Sequence, residues 1–268
     1  MANALRRSQF NYNAIAFTAH VMLLIQCLWF GWTFALIALL IGLVIYNLTA
    51  GLYMHRVVVH QHFSFSLGWH RLFCRLFSMC NFGSLAMNCA IHLRHHRYSD
   101  LPGDPHSYEQ LGLRRLLLKQ WNRSSLPQSR QLLRFLSNPC IKHQHRNHMA
   151  YGIVTALLLP SISVAAYWLI NLLFLVAHWG PSHHSSEGRA KDWPALLPLM
   201  WGDEMHYRHH KSPARKRLRR FDLLFIIGRA IEWQSWMGHP PQPIIDLDPY
   251  PARLQAPVRS LNQNVASL

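Results

Sequence analysis

The sequence predicts an all-α integral membrane protein, with about four transmembrane helices in two hairpins and a cytoplasmic helical cap that holds a histidine-rich di-metal site. Three observations carry this expectation. Of the 268 residues, 50% are hydrophobic and only 14% are charged, with a mean hydropathy of +0.02, a balance unusual for a soluble domain. Long uncharged apolar runs follow the N-terminus. Histidines gather in three short clusters, each just beyond an apolar stretch.

Residues 14–30 and 33–54 are nearly uncharged, are separated by Gly31-Trp32, and are each long enough for a helix crossing a ~30 Å hydrocarbon core. They read as the first hairpin. Residues 71–90 are apolar-rich but interrupted by Arg71, Arg75, Asn81 and Asn88, which suits a helix along the interface or inside the protein better than a span. The polar and basic stretch 97–148, broken by Pro102, Pro105, Pro127 and Pro139, is expected outside the bilayer.

The block 149–179, with Pro160 near its middle, is too long for one upright helix and short for two full ones, so it reads as a hairpin of short spans. Between Phe221 and Met237, apolar residues at helical spacing adjoin a basic run and predict an interfacial helix. No internal repeat is present. Residues 1–248 read as a single domain and 249–268, with Pro249-Tyr250-Pro251, as a loosely ordered tail.

Net charge is +16, with 19 histidines uncounted. The basic residues sit at the ends of apolar segments, at Arg6-Arg7 and in Lys211, Arg215, Lys216, Arg217, Arg219 and Arg220, a pattern that favours membrane topology and lipid contact over nucleic acid. With the positive side inside, the N-terminus, the histidine clusters and the C-terminus are expected on the cytoplasmic face of a multi-pass protein. No small-residue cleavage site closes the first apolar stretch, which is expected to stay attached. The five cysteines form no C-x-x-C pair and read as reduced, buried thiols.

The clusters are His55-Arg-Val-Val-Val-His60, His92-Leu-Arg-His95-His96 and His206-Tyr-Arg-His209-His210. In the second and third, the i, i+3, i+4 spacing puts all three rings on one helix face. In the first, five residues are about 500° of α-helical rotation, so the rings diverge by about 140°. That pair is expected either to straddle a helix end or to serve different metals. A lone histidine at an interface is ordinarily a hydrogen-bonded one, and His20, His70, His143, His145, His148 and His239 are read that way. Eight clustered imidazoles exceed what one tetrahedral zinc uses, and imply two metals. With no H-E-x-x-H and no cysteine in any cluster, a nitrogen-rich site bordering hydrocarbon suits iron and oxygen activation.

Thr49 to His60, His92 to His106 with its Asp104-Pro105-His106 extension, and Gly202-Asp-Glu-Met-His206-Tyr-Arg-His209-His210 resemble the three histidine boxes of the acyl-CoA (Δ9-type) membrane fatty acid desaturases. Phe221 to Trp233 resembles the helix after the third box in bacterial members, a resemblance that implies a bacterial inner membrane. The resemblance covers roughly residues 45–238. It implies a fatty acyl desaturase in which His55, His60, His92, His95, His96, His206, His209 and His210 bind two Fe ions, with O2 as co-substrate and a tunnel for the acyl chain. The family adds a ninth histidine at the end of the fourth span, matched best by His178, with His183 and His184 as rivals; Phe174 stands where the family carries an asparagine. Ala90-Ile91 replace the arginine-aspartate pair of acyl-CoA members, so CoA, an acyl carrier protein and an intact lipid all stand as carriers.

Each turnover needs two external electrons, and the chain has no G-x-G-x-x-G, C-x-x-C-H or flavin fingerprint. A ferredoxin, rubredoxin or cytochrome b5-like donor with its reductase is expected, docking on the cationic surface. A di-iron lipid or carotenoid hydroxylase or ketolase is the alternative. A histidine-rich transporter fits less well, since its ligands belong near the midplane of the spans.

Overall fold

The computed structural model describes residues 2–99, 101–105, 107–118, 129–178 and 190–238. Among them every regular element is a helix, apart from an isolated antiparallel bridge between Asp192 and Met205. Helix α1 (Ala2–Phe30) ends at Gly31, whose φ of 84° is open to glycine at little cost, and α2 (Trp32–Tyr46) turns back from it. Helix α2 runs without a break into a π-helical segment, Asn47–Val59.

Tyr12–Phe30 and the continuous Trp32–Val59 are long and apolar enough to cross a membrane. Large apolar side chains such as Leu28, Trp29, Leu36, Ile37 and Leu40 stand exposed along them, a surface that water would penalise and lipid would not. The second helix has 28 residues; at about 1.5 Å per residue it is about 40 Å long, more than a ~30 Å hydrocarbon core. The helix is thus longer than such a layer is thick, and its C-terminal end carries His55.

The polar stretch 97–148 contains helices that its composition did not mark. Helix α7 (Pro139–Leu158) begins well before the apolar block, with Asn138 Oδ1 accepting from the Cys140 and Ile141 amides at 2.9 and 3.2 Å and Pro139 in the first turn. Lys142, His143, His145 and Arg146 belong to this helix. Residues Tyr108–Leu117 and Ser129–Leu136 within the same stretch form α5 and α6.

Helix α8 (Pro160–His178) follows after Leu159. Pro160 has no amide to continue the ladder, and α7 and α8 meet at a bend of 111°; together, though not singly, they are long and apolar enough to cross a membrane. The break expected at Pro160 is present; four separate spans are not shown. Helix α8 packs along α2, where Gly42 lies so close to Ala165 and Ser161 that a Cβ would stand 2.7 Å from the Ala165 side chain. Helix α1 lies against α7 and α8.

The stretch 71–90 is two helices, α3 (Leu67–Met79) and α4 (Leu85–Tyr98), separated by a turn in which Asn81 and Gly83 take φ of 55° and 79°. Helix α3 buries His70, Phe73, Cys74 and Phe77 against the π segment and leaves Arg71, Leu72 and Arg75 exposed. The Ser84 hydroxyl caps α4, accepting from the Met87 amide at 3.2 Å. A core of Leu52, Tyr53, Val57, Phe73, Phe77, Leu85, Cys89, Phe135, Ile141 and Leu224 joins these elements. The short α9 (Leu197–Met200) and α10 (His206–Lys211) lead to α11 (Leu223–Gly238). Asp222 Oδ1 accepts from the Phe225 amide at 3.0 Å to start that helix.

The α2–α8 contact is testable. Gly42→Val is expected to wedge the helices apart and lower stability by about 1–3 kcal/mol, while Ile41→Val, on the exposed face, should have little effect; thermal unfolding in detergent compares them.

Candidate metal centre

A π-helix bonds each amide to the carbonyl five residues back, and the His60 amide donates to the His55 carbonyl at 3.1 Å. Residues five apart are thereby brought towards one side instead of splayed, and the two rings meet edge to face with centroids 4.9 Å apart. His60 also caps the C-terminus of the segment. The divergence expected of a regular α-helix is removed by local winding, and both rings enter one group.

Helices α4 and α10 bring the other six imidazoles to the same place. His55, His60, His92, His96 and His209 form one group, and His95, His206 and His210 a second; within each group the nearest ring nitrogens all lie within 4.8 Å of one another. In the first, Nε2–Nε2 distances are 2.9 Å for His55–His209, 2.9 Å for His209–His96, 3.0 Å for His96–His92 and 3.4 Å for His60–His92. In the second, His95 Nε2 and His210 Nε2 are 3.1 Å apart. His96 and His210 stack at 4.5 Å and join the groups.

This donor set fits metal ions. Each ring nitrogen offers one in-plane lone pair or one N–H, so His209 Nε2 cannot satisfy both His55 and His96 through ideal hydrogen bonds. Several imidazole nitrogens aimed at one small volume are the arrangement taken around a cation, whose ligands at ~2.1 Å stand up to about 4 Å apart. Imidazole suits zinc, copper, iron and nickel alike.

Carboxylates orient two of the rings. His95 Nδ1 donates to Asp104 Oδ2 at 2.8 Å, with both side chains buried. Asp104 is carried back beneath α4 by a turn in which its amide donates to the Leu101 carbonyl at 3.0 Å. His55 Nδ1 faces both oxygens of Asp203 at 3.3 Å. An ionised carboxylate can only accept, so Nδ1 carries the proton on both rings and Nε2 presents its lone pair to the group. Burial raises the Asp203 pKa, but His55 and Arg56 beside it outweigh that and hold it below the usual value. Burial, and then the neighbouring imidazoles, push the pKa values of His60, His96 and His209 well below that of an ordinary histidine.

Asp104 and Asp203 were visible in the sequence only as parts of motifs, with no signal for their bonds to His95 and His55. His62 was not singled out; it is buried, its ring bonds to the Pro213 carbonyl at 2.8 Å, and burial lowers its pKa to about 4. His70, read as a structural residue, contacts the Tyr53 hydroxyl at 3.3 Å, in neither group. His178 is the last residue of α8; its side chain, and His106, His183 and His184, lie outside the described residues.

No family model matches the chain. Over 99 residues, 36% of its length, it is 35% identical to the hex-5-enoyl-[acyl-carrier protein] acetylenase of Moorena producens (strain JHB). The match covers only 30% of that relative.

The depressed histidines make stability pH-dependent. Below about pH 6.5 the unfolded chain takes up protons that the folded groups refuse, so stability falls as pH falls, by at most about 1.4 kcal/mol per pH unit per group. The melting temperature of metal-free protein is expected to drop between pH 7 and 5, and His96→Gln should flatten that slope.

Proposed function

We propose that the chain is a membrane-bound fatty acyl desaturase that introduces a double bond with O2 and two externally supplied electrons at a His-ligated di-iron centre. The observation that carries this reading is the gathering of eight imidazoles, five and three, at the end of an apolar helix longer than the hydrocarbon core. The relative's printed name adds a matching chemistry, since it describes an alkene-bearing acyl chain on acyl-carrier protein and an acetylenic product, a difference of two hydrogens. An acyl group on acyl carrier protein is accordingly the substrate class favoured over acyl-CoA.

In this reading His55, His60, His92, His96 and His209 hold one iron and His95, His206 and His210 the other, with His178, ahead of His183 and His184, as the ninth ligand. Bound iron would supply the oxygen reduction needed to take hydrogen from an unactivated carbon. The chain's own residues hold the ligands. Asp104 keeps a proton on His95 Nδ1, and the packed core beneath the rings keeps water from their inner side. The topology that goes with it is two hairpins, with α7 and α8 as the second, and all three boxes on the cytoplasmic face. A ferredoxin, rubredoxin or cytochrome b5-like protein delivers the electrons. A hydroxylase with the same ligands would instead add oxygen.

Membranes containing the chain, supplied with acyl carrier protein thioesters, O2, ferredoxin and its reductase, are expected to yield acyl chains lighter by two hydrogens. His95→Ala should lower that yield at least about 100-fold. Products heavier by one oxygen would move the assignment to hydroxylation, and unchanged turnover in His95→Ala would overturn the site.

A further inference from the structure

Arg56 follows the first box histidine and is only 1% exposed. A buried guanidinium needs partners for its charge and its donors, and Arg56 has three. Its Nη1 donates to both oxygens of Asp222 at 2.9 and 3.0 Å and to the Lys216 carbonyl at 3.4 Å. Its Nε and Nη2 donate to Asp203 Oδ1 at 3.4 and 3.3 Å. Asp222 in turn accepts from the Leu218 and Phe225 amides, both at 3.0 Å, which fixes it to the start of α11. Asp203 therefore sits between a fixed cation and the His55 ring.

The backbone makes room for this assembly at two glycines. A Cβ on Gly51, one turn before His55, would stand 2.9 Å from Asp203 Oδ2. A Cβ on Gly202, whose φ is 131°, would run into the Asp222 carboxylate and the Arg56 guanidinium. Asp203 is thus seated against bare backbone on one side and against Arg56 on the other.

We propose that Asp203, clamped by Arg56 and seated on Gly51, is a positioning residue that sets the tautomer and aim of His55 toward the five-imidazole group. The proposal rests on the reading that these imidazoles bind metal. Asp203 acts only through His55, so its contribution should vanish when that ring is removed, whereas a residue that merely holds the fold would matter equally with or without it.

The test is a Co(II) titration of the full, metal-stripped chain in detergent, with the visible absorption reporting ligand geometry and circular dichroism reporting helix content. The wild-type chain is expected to bind two Co(II). Asp203→Asn should weaken one of them about 10–100-fold, alter its absorption, and leave helix content and the other ion unchanged. In a His55→Ala background the same substitution should produce no further loss. Gly51→Ala, which keeps every polar group but crowds the carboxylate and, equally closely, the flexible end of Leu224, should act in the same direction and carries the test should Asp203→Asn fail to fold. Wild-type affinity in Asp203→Asn, or an equal loss with and without His55, would overturn the positioning role while leaving the metal reading intact. A wild-type chain that binds no Co(II) would overturn the metal reading and the positioning role together.

Discussion

Two rings five residues apart cannot meet on an α-helix, and the arrangement of the histidines depends on how the chain escapes that constraint. It does so by winding Asn47–Val59 as a π-helix, which brings the His55 and His60 rings together edge to face and aims both at the rings of α4 and α10. π-Helical turns are costly and short in ordinary proteins and recur at functional positions. Here the segment is packed on one side by α3 and α4 and on another by α11, and buried side chains including Leu52, Tyr53, Val57, Val58 and Val59 hold it. Tertiary packing supplies what the winding lacks in intrinsic stability.

The same packing explains how so many polar groups are buried together. Neutral imidazoles cost less to desolvate than charged ones, and the depression of His60, His96 and His209 is the expression of that preference. The full charges nearby are paired: Arg56 with Asp203 and Asp222, and Glu204 with Arg219 at 2.8 Å. Removing one member of such a pair leaves the other desolvated, so these contacts specify the arrangement more than they stabilise it. They also link the first cluster, the third cluster and α11 into one unit.

The two long apolar helices at the N-terminus and the two H-x-x-H-H clusters were legible because hydropathy and the 3.6-residue period act locally. The His55–His60 pair was legible in part: the expectation that it straddles a helix end holds, since His60 is the C-cap of the segment, but the π winding that brings the two rings together has no local signal in the sequence. The start of helix α7 was not marked in the sequence, because Lys142, His143, His145 and Arg146 stand in a polar, proline-broken stretch, although they form the polar half of a capped helix. The bonds of His55 to Asp203 and of Arg56 to Asp222 join residues 148 and 166 positions apart, and no periodicity encodes such contacts. Gly51 and Gly202 gave no hint of their use until a neighbouring side chain was placed against each.

X-ray absorption on the iron-loaded chain tests the central claim most directly, because imidazole rings leave a multiple-scattering signature that carboxylate and thiolate ligands do not. An iron environment dominated by several imidazoles, without sulfur, at about two irons per chain is the result the account predicts. A sulfur shell, or iron surrounded by oxygen with little imidazole scattering, would contradict it.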